Sequence, residues 1–166
     1  MSSARRFDYR KLDPGFVEQA PVRFTVEREL PCTPERLFEI FEDAEAWTKW
    51  AGLKFVTWTS EKPYGAGTTR TVGVGPIEID EVFFTFDRGE RMSFYVASGT
   101  TQLLAAFAED YRVRAVGTDR CHFSWSFGVE LAGLARVLHP LVGLAAKQNF
   151  AGALAKLETY VAETAR

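Results

Sequence analysis

The sequence predicts an α+β fold in which a curved antiparallel sheet of seven strands packs against one long C-terminal helix. The helix is indicated by apolar residues that recur every three or four positions between Pro140 and Ala162: Val142, Ala146, Phe150, Ala153, Leu157 and Val161. The strands are indicated by segments in which apolar and polar side chains alternate, most of them joined by tight turns. We therefore expect the helix to lie across the concave face of the sheet.

One long segment interrupts the strand pattern and predicts two short helices after the first strand. Thr33 suits the N-cap of the first helix, Pro34 its first position and Glu35 its first turn. Asp43 suits the N-cap of the second helix, which Trp50 closes. The predicted strands are residues 22–30, 53–60, 68–74, 77–86, 91–98, 104–116 and 120–129.

The length of 166 residues suits one domain. Residues 1–20 show no periodicity, so we expect a loosely ordered N-terminal arm followed by a single domain over residues 21–166.

Composition and charge argue against several classes of function. The net charge is −2 and no long basic run occurs, so we expect no binding to nucleic acid. No apolar run reaches about 18 residues, so we expect no integral membrane segment. Cys32 and Cys121 fit a reducing compartment better than a disulfide framework, which favours a cytoplasmic protein. The chain has two histidines without metal-ligand spacing, so we expect no metal site and no cofactor.

The order of these elements resembles the helix-grip fold of the START-related SRPBCC superfamily, from about Val22 to Val161. Within it, the sequence is most similar to the polyketide cyclase/dehydrase and lipid-transport group. The local marks are Thr33-Pro34-Glu35-Arg36-Leu37-Phe38, Asp43 with Trp47 and Trp50, Gly65-Ala66-Gly67 with Arg70, then Glu81 and Trp125. The resemblance implies a cavity between sheet and helix that holds a hydrophobic small molecule, such as a lipid, polyketide, steroid or isoprenoid.

Four charged residues fall among the apolar residues of their strands: Arg28, Arg70, Glu81 and Glu109. An unpaired buried charge costs several kcal/mol, so these residues must form ion pairs, meet water in a cavity, or be shifted by a bulge. The expected pair joins Arg70 and Glu81 across neighbouring strands. The functional alternative is a polar end of the cavity in which arginine polarises a ligand oxygen and a glutamate acts as base. Arg70, Glu81 and Glu109 are then the candidate catalytic residues, and Arg28 contacts the ligand.

Aromatic residues make up 14% of the chain, which suits either a heavy core or the walls of an apolar cavity. The candidate ligand-binding residues are Trp50, Phe55, Phe94, Tyr111, Trp125 and Phe150, together with Asn149 at the margin of the helix stripe.

Residues 131–139 carry an apolar stripe that points away from the stripe of the long helix, and Pro140 disfavours helix in the residue before it. We expect a break near His139. Three roles stay open for this segment: packing on the sheet, a lid over the cavity mouth, or the contact of a homodimer.

Two hypotheses of different classes follow. In the first, the protein binds a hydrophobic, partly oxygenated ligand, as a carrier or as a cyclase/dehydrase that acts by positioning and acid–base chemistry. In the second, the same fold is a ligand-free protein-interaction module, like chaperone-activating or quinone-associated members of the superfamily. Whether the protein is an enzyme stays open at this point.

Overall fold

All seven predicted strands are present in the computed structural model, which describes residues 5–164, and a two-residue strand precedes them. The strands are β1 (Phe7–Asp8), β2 (Val22–Leu30), β3 (Phe55–Trp58), β4 (Thr69–Val74), β5 (Ile77–Asp87), β6 (Arg91–Gly99), β7 (Leu104–Ala115) and β8 (Cys121–Leu131). Strands β2 to β8 form one antiparallel sheet in the order β2-β8-β7-β6-β5-β4-β3, and β1 pairs with the end of β6. The predicted α+β architecture is confirmed.

Within residues 5–164 the sheet is accompanied by four α-helices: α1 (Phe16–Gln19), α2 (Pro34–Glu42), α3 (Ala44–Trp50) and α4 (His139–Thr164). Both predicted caps are present. Thr33 Oγ1 accepts a hydrogen bond from the backbone N–H of Arg36 at 3.2 Å, and Asp43 Oδ1 accepts one from that of Glu45 at 2.9 Å. Asp43 caps α3 at the sharp turn between α2 and α3, and Trp47 and Trp50 of α3 are buried.

The predicted break near His139 is also present. A 3₁₀ helix over Gly133–Leu138 ends there and α4 begins, so Pro140 lies in the first turn of α4, where its missing N–H costs no helix hydrogen bond. His139 anchors the junction, because its Nε2 accepts a hydrogen bond from the backbone N–H of Leu131 at 3.1 Å.

The N-terminal segment differs from the loosely ordered arm that the sequence predicts. Its described part packs on the convex face of the sheet through buried side chains, namely Leu12, Phe16, Val17 and Ala20. Gly128 in β8 permits this contact, since a Cβ atom there would lie 2.9 Å from the Cα of Val17. The sheet is therefore covered on both faces, by α1 on one and by α2, α3 and α4 on the other.

Strand β5 carries two irregularities that change which side chains face inward. Strict alternation predicts Thr85 on the inner face together with Glu81 and Phe83. A register shift between Phe83 and Thr85 instead turns Phe86 into the core, whereas Glu81 and Phe83 keep their inward positions.

Candidate ligand-binding cavity

A cavity of about 720 Å³ lies between the concave face of the sheet and α4. Strands β4 to β8 form its floor, and residues of α3 and α4 form its walls. Most of the lining side chains are apolar, among them Val72, Ile79, Leu104 and Phe107. The charged and hydroxyl-bearing side chains on its floor are Arg70, Glu81, Glu109 and Tyr111.

The cavity exists because only the second half of α4 packs closely on the rest of the protein. Its buried residues are Ala153, Leu154, Leu157 and Val161, whereas Val142, Ala146 and Phe150 of the predicted stripe are only half-buried. Phe150 closes part of the resulting gap, with its ring centre 4.3 Å from that of Trp125. The first half of α4 thus spans the sheet without filling the space beneath it.

An ion pair between Arg70 and Glu81 lies in the floor of the cavity. The two residues are direct partners across β4 and β5, and Arg70 Nε donates to Glu81 Oε2. The guanidinium also stacks on aromatic rings, with Cζ 4.3 Å from the ring centre of Trp47 and 4.9 Å from that of Phe94. Burial raises the pKa of Glu81 above its ordinary value, and the neighbouring Arg70 opposes this increase.

Two buried N–H donors in the cavity lining have no acceptor among the described residues. They are Nη1 of Arg70 and Nε1 of Trp50. A buried donor without a partner costs about 1–3 kcal/mol, and proteins rarely leave two of them in one place without a purpose. By contrast, Nε1 of Trp47 is satisfied, since it donates to the backbone carbonyl of Phe41 at 2.8 Å.

Glu109 is the second buried carboxyl group on the cavity floor. Its Oε2 accepts hydrogen bonds from the hydroxyl of Tyr111 and from Trp125 Nε1, the latter at 2.9 Å. Burial raises the pKa of Glu109 to about 8, and these two hydrogen bonds oppose the increase only in part. Glu109 is therefore mostly protonated at neutral pH, so it can donate a proton at the cavity floor.

Nine of the eleven site residues predicted from the sequence line this one cavity: Trp50, Arg70, Glu81, Phe94, Glu109, Tyr111, Trp125, Asn149 and Phe150. The predicted Arg70–Glu81 ion pair is present as well.

The other two predicted residues lie outside the cavity lining. Arg28 does face α4, but it lies against the last turns of that helix, where it pairs with Glu158 and stays 38% exposed. Phe55 lies on the face of the edge strand β3 that is turned away from the cavity, where it packs across Gly73 of β4. Its neighbour Val56 is buried on the inner face. The prediction that Phe55 faces the cavity was wrong. Strand β3 carries apolar side chains on both faces, so alternation alone does not show which face is turned inward.

Sequence reasoning missed Trp47 as a site residue, although it lines the cavity and supports the guanidinium of Arg70. The spacing of Trp47 and Trp50 on one short helix was the available signal. Among residues 5–164, no group of three or more His, Cys, Asp or Glu side chains could hold a metal ion.

The segment before α4 is not part of the core. None of the residues in the 3₁₀ helix Gly133–Leu138 is buried. Of the three roles considered for this segment, packing of its apolar stripe on the sheet is therefore wrong. No helix within the described residues is long and apolar enough to cross a membrane.

Comparison with known proteins agrees with this architecture. A family model described as "Polyketide cyclase / dehydrase and lipid transport" matches residues 21–162. Uncharacterized protein Rv2574 of Mycobacterium tuberculosis is 43% identical over 140 residues, which cover 81% of this chain and 83% of that protein. Uncharacterized protein Mb2604 of Mycobacterium bovis is also 43% identical, with the same coverage.

Solved structures share the fold at low sequence identity. A START superfamily protein from Mycobacterium smegmatis has a TM-score of 0.72 at 14% identity, over 86% of this chain and 98% of that one. The Zhui aromatase/cyclase from a Streptomyces species has a TM-score of 0.71 at 9% identity, over 87% of this chain and 95% of that one. The predicted helix-grip fold is confirmed, and the chain belongs to the polyketide cyclase/dehydrase and lipid transport family.

Proposed function

We propose that the protein binds one small apolar molecule that carries an oxygen atom, and that this oxygen accepts hydrogen bonds on the cavity floor. The observation that carries the proposal is the cavity of about 720 Å³ with two unsatisfied donors in its lining, Arg70 Nη1 and Trp50 Nε1. A carbonyl, carboxylate or hydroxyl oxygen would satisfy them, while the apolar walls would hold the rest of the ligand.

The size of the cavity favours this function over a ligand-free interaction module. Small-molecule sites have volumes of roughly 300–1,000 Å³, and the cavity falls inside this range. An interaction module needs no such space, and its helix would gain more stability by packing on the sheet over its whole length.

Glu109 favours a cyclase/dehydrase reaction as a second candidate function. A neutral carboxyl group can give its proton to a ligand hydroxyl as the C–O bond breaks and water leaves, and the carboxylate that remains takes a proton from the adjacent carbon. It can equally protonate a carbonyl oxygen as an enol carbon of the same ligand bonds to the carbonyl carbon, and the enol proton then returns to the carboxylate. The positive charge of Arg70 lies on the same floor, where it would stabilise negative charge on that oxygen. One structural neighbour is an aromatase/cyclase, which is consistent with this candidate. A carrier needs no proton donor.

Uptake of a fluorescent fatty acid, cis-parinaric acid, tests the binding function. We expect saturable binding of one molecule per chain, and Gly152→Trp should weaken it by about tenfold or more because Gly152 lines the cavity. The control Ala155→Trp carries the same side chain on an exposed position of α4 and should bind as the wild type does. Absence of saturable uptake, or equal uptake by both variants, would remove the cavity as the binding site.

Glu109→Gln separates the two candidates. The amide keeps the shape and neutrality of the protonated carboxyl group, so uptake should stay within about twofold of wild type in either case. Mass spectrometry then measures whether a bound polyketone is converted to a cyclised product. If Glu109 is the acid, this conversion should occur with the wild-type protein and be absent in Glu109→Gln. Wild-type protein that returns every tested polyketone unchanged would favour the carrier.

A further inference from the structure

The strongest feature outside the cavity is an exposed apolar surface next to its opening. Six side chains form it, each between 47% and 91% exposed: Leu103, Leu134, Val137, Leu138, Leu141 and Leu144. We call this surface the mouth patch. Leucine and valine side chains exposed to this degree rarely cluster on a monomer without an interaction partner.

The mouth patch is continuous with the cavity. Leu103 belongs to both, since it lines the cavity and is also 65% exposed. The backbone carbonyl of Leu103 accepts a hydrogen bond from the N–H of Ala132 at 2.9 Å, which joins the β6–β7 loop to the segment that carries the leucines. Val142, one residue after Leu141, also lines the cavity. Whatever covers the patch therefore borders the route by which a ligand enters.

The charges around the mouth patch are basic. Residues 131–149 contain Arg136 and Lys147 but no aspartate or glutamate, although the whole chain has a net charge of −2. The carboxylate that precedes this segment, Glu130, forms ion pairs with both Arg10 and Arg136. Glu78 of β5, whose backbone N–H donates to Thr100 at the start of the β6–β7 loop, is paired with Arg6.

We propose that the mouth patch docks on the surface of an anionic lipid membrane. Apolar side chains flanked by lysine and arginine are the combination that inserts into the headgroup region of such a membrane. Docking in this way points the opening of the cavity at the lipid phase. An apolar ligand then passes between membrane and cavity without crossing water. This route removes the main free-energy barrier to transfer, which is the exposure of the ligand's apolar surface to water.

A homodimer through the same surface is the competing occupant, and the charges argue against it. In a two-fold symmetric dimer each patch meets its own copy, so Arg136 and Lys147 of one protomer would face the same basic segment of its partner. No carboxylate lies within residues 131–149, and Glu130, just before them, is shared between Arg10 and Arg136, so one positive charge of this group stays unbalanced besides Lys147.

Flotation with lipid vesicles tests the inference. We expect the wild-type protein to float with vesicles that contain phosphatidylglycerol, and to do so far less with pure phosphatidylcholine. The double variant Leu134→Glu/Leu141→Glu should reduce vesicle binding by about a hundredfold, because losing the burial of one leucine changes a partition constant by about tenfold. Both leucines are exposed, so the variant should fold normally.

The matched control is Ala155→Glu/Thr159→Glu, which adds two negative charges to exposed positions at the other end of α4. It should float as the wild type does. Wild-type protein that fails to bind phosphatidylglycerol vesicles, or equal loss in both double variants, would overturn the inference. So would dimers of the wild type that become monomers only in Leu134→Glu/Leu141→Glu. Uptake of cis-parinaric acid in the absence of vesicles is scored separately, so failure of docking leaves the proposed binding function intact.

Discussion

Arg70 and Glu81 face each other across β4 and β5 and form an ion pair that water hardly reaches, with side chains 1% and 5% exposed. The pair compensates two charges that would otherwise be very costly in the core. The Arg70 guanidinium lies over the ring of Trp47, and its Nη1 has no acceptor among residues 5–164. The same interaction thus supports the fold and leaves a donor that the proposed ligand would satisfy.

Breaking this ion pair should destabilise the protein strongly. Arg70→Met leaves Glu81 buried without its partner and should lower the free energy of unfolding by about 3–5 kcal/mol at pH 7. The double variant Arg70→Met/Glu81→Gln should recover part of that loss, because neither charge then remains. Urea unfolding measures all of these values.

Arg28→Met is the matched control for Arg70→Met. Arg28 also pairs with a glutamate, Glu158, but both side chains are more than one third exposed. Its removal should change stability by less than about 1 kcal/mol. Equal effects of Arg70→Met and Arg28→Met would show that the buried pair has no special role.

The raised pKa of Glu109 predicts that stability falls as pH increases. Burial raises this pKa from 4.5 to about 8 in the folded protein, so between these values the folded state holds a proton that the unfolded state has released. Stability is therefore highest below about pH 4.5 for this group, decreases through the window and levels off above about pH 8. The slope approaches about 1.4 kcal/mol per pH unit. Unfolding free energies at several pH values measure the decrease.

Glu109→Gln should flatten that decrease, since glutamine does not titrate. Glu61→Gln, at an exposed position, should leave the slope of the wild type unchanged. A Glu109→Gln protein with the wild-type slope would mean that Glu109 titrates as an ordinary glutamate.

The two tryptophans of α3 should respond differently to the loss of their indole N–H. Trp47→Phe removes the 2.8 Å hydrogen bond to the carbonyl of Phe41, whereas Trp50→Phe removes a donor that has no partner in the described part of the chain. Trp47→Phe should therefore cost about 1 kcal/mol more stability than Trp50→Phe. Only Trp50→Phe, however, should weaken the binding of cis-parinaric acid more than the binding of its methyl ester. The reason is that a carboxylate is the stronger hydrogen-bond acceptor and loses more when the donor is removed. Equal stability losses would show that Trp50 Nε1 is already satisfied.

Gly152→Ala should stabilise the protein by about 0.5–1 kcal/mol, because glycine within a helix is less favourable than alanine. The new Cβ atom meets no atom within 4 Å. Gly128→Ala is the contrasting change, since its Cβ atom would lie 2.9 Å from the backbone of α1 at Val17. Thermal unfolding should show a higher midpoint for the first variant and a lower midpoint for the second.

Much of the fold follows from local patterns in the sequence. The register of Arg70 against Glu81 could be predicted because the tight turn after Val74 pairs that residue with Ile77, and each step back along β4 is then matched by a step along β5. The caps at Thr33 and Asp43 were equally local. Such features depend only on neighbouring residues.

The remaining features depend on tertiary contacts that no local pattern contains. Alternation placed Arg28 on the inner face, but it could not show that the last turns of α4 bring Glu158 to it. The edge strand β3 carries apolar residues on both faces, so Phe55 was assigned to the wrong side. The packing of the N-terminal segment involves a helix of four residues, which is too short for a periodic pattern.

Native mass spectrometry of the protein purified from its own host tests the central claim most directly. We expect a wild-type ion that carries one additional noncovalent mass, and fragmentation of that adduct should reveal an apolar molecule with at least one oxygen atom. Gly152→Trp, purified in parallel, should lose the adduct, whereas Ala155→Trp should keep it. An adduct retained equally by both variants, or a wild-type protein that carries none, would contradict the account.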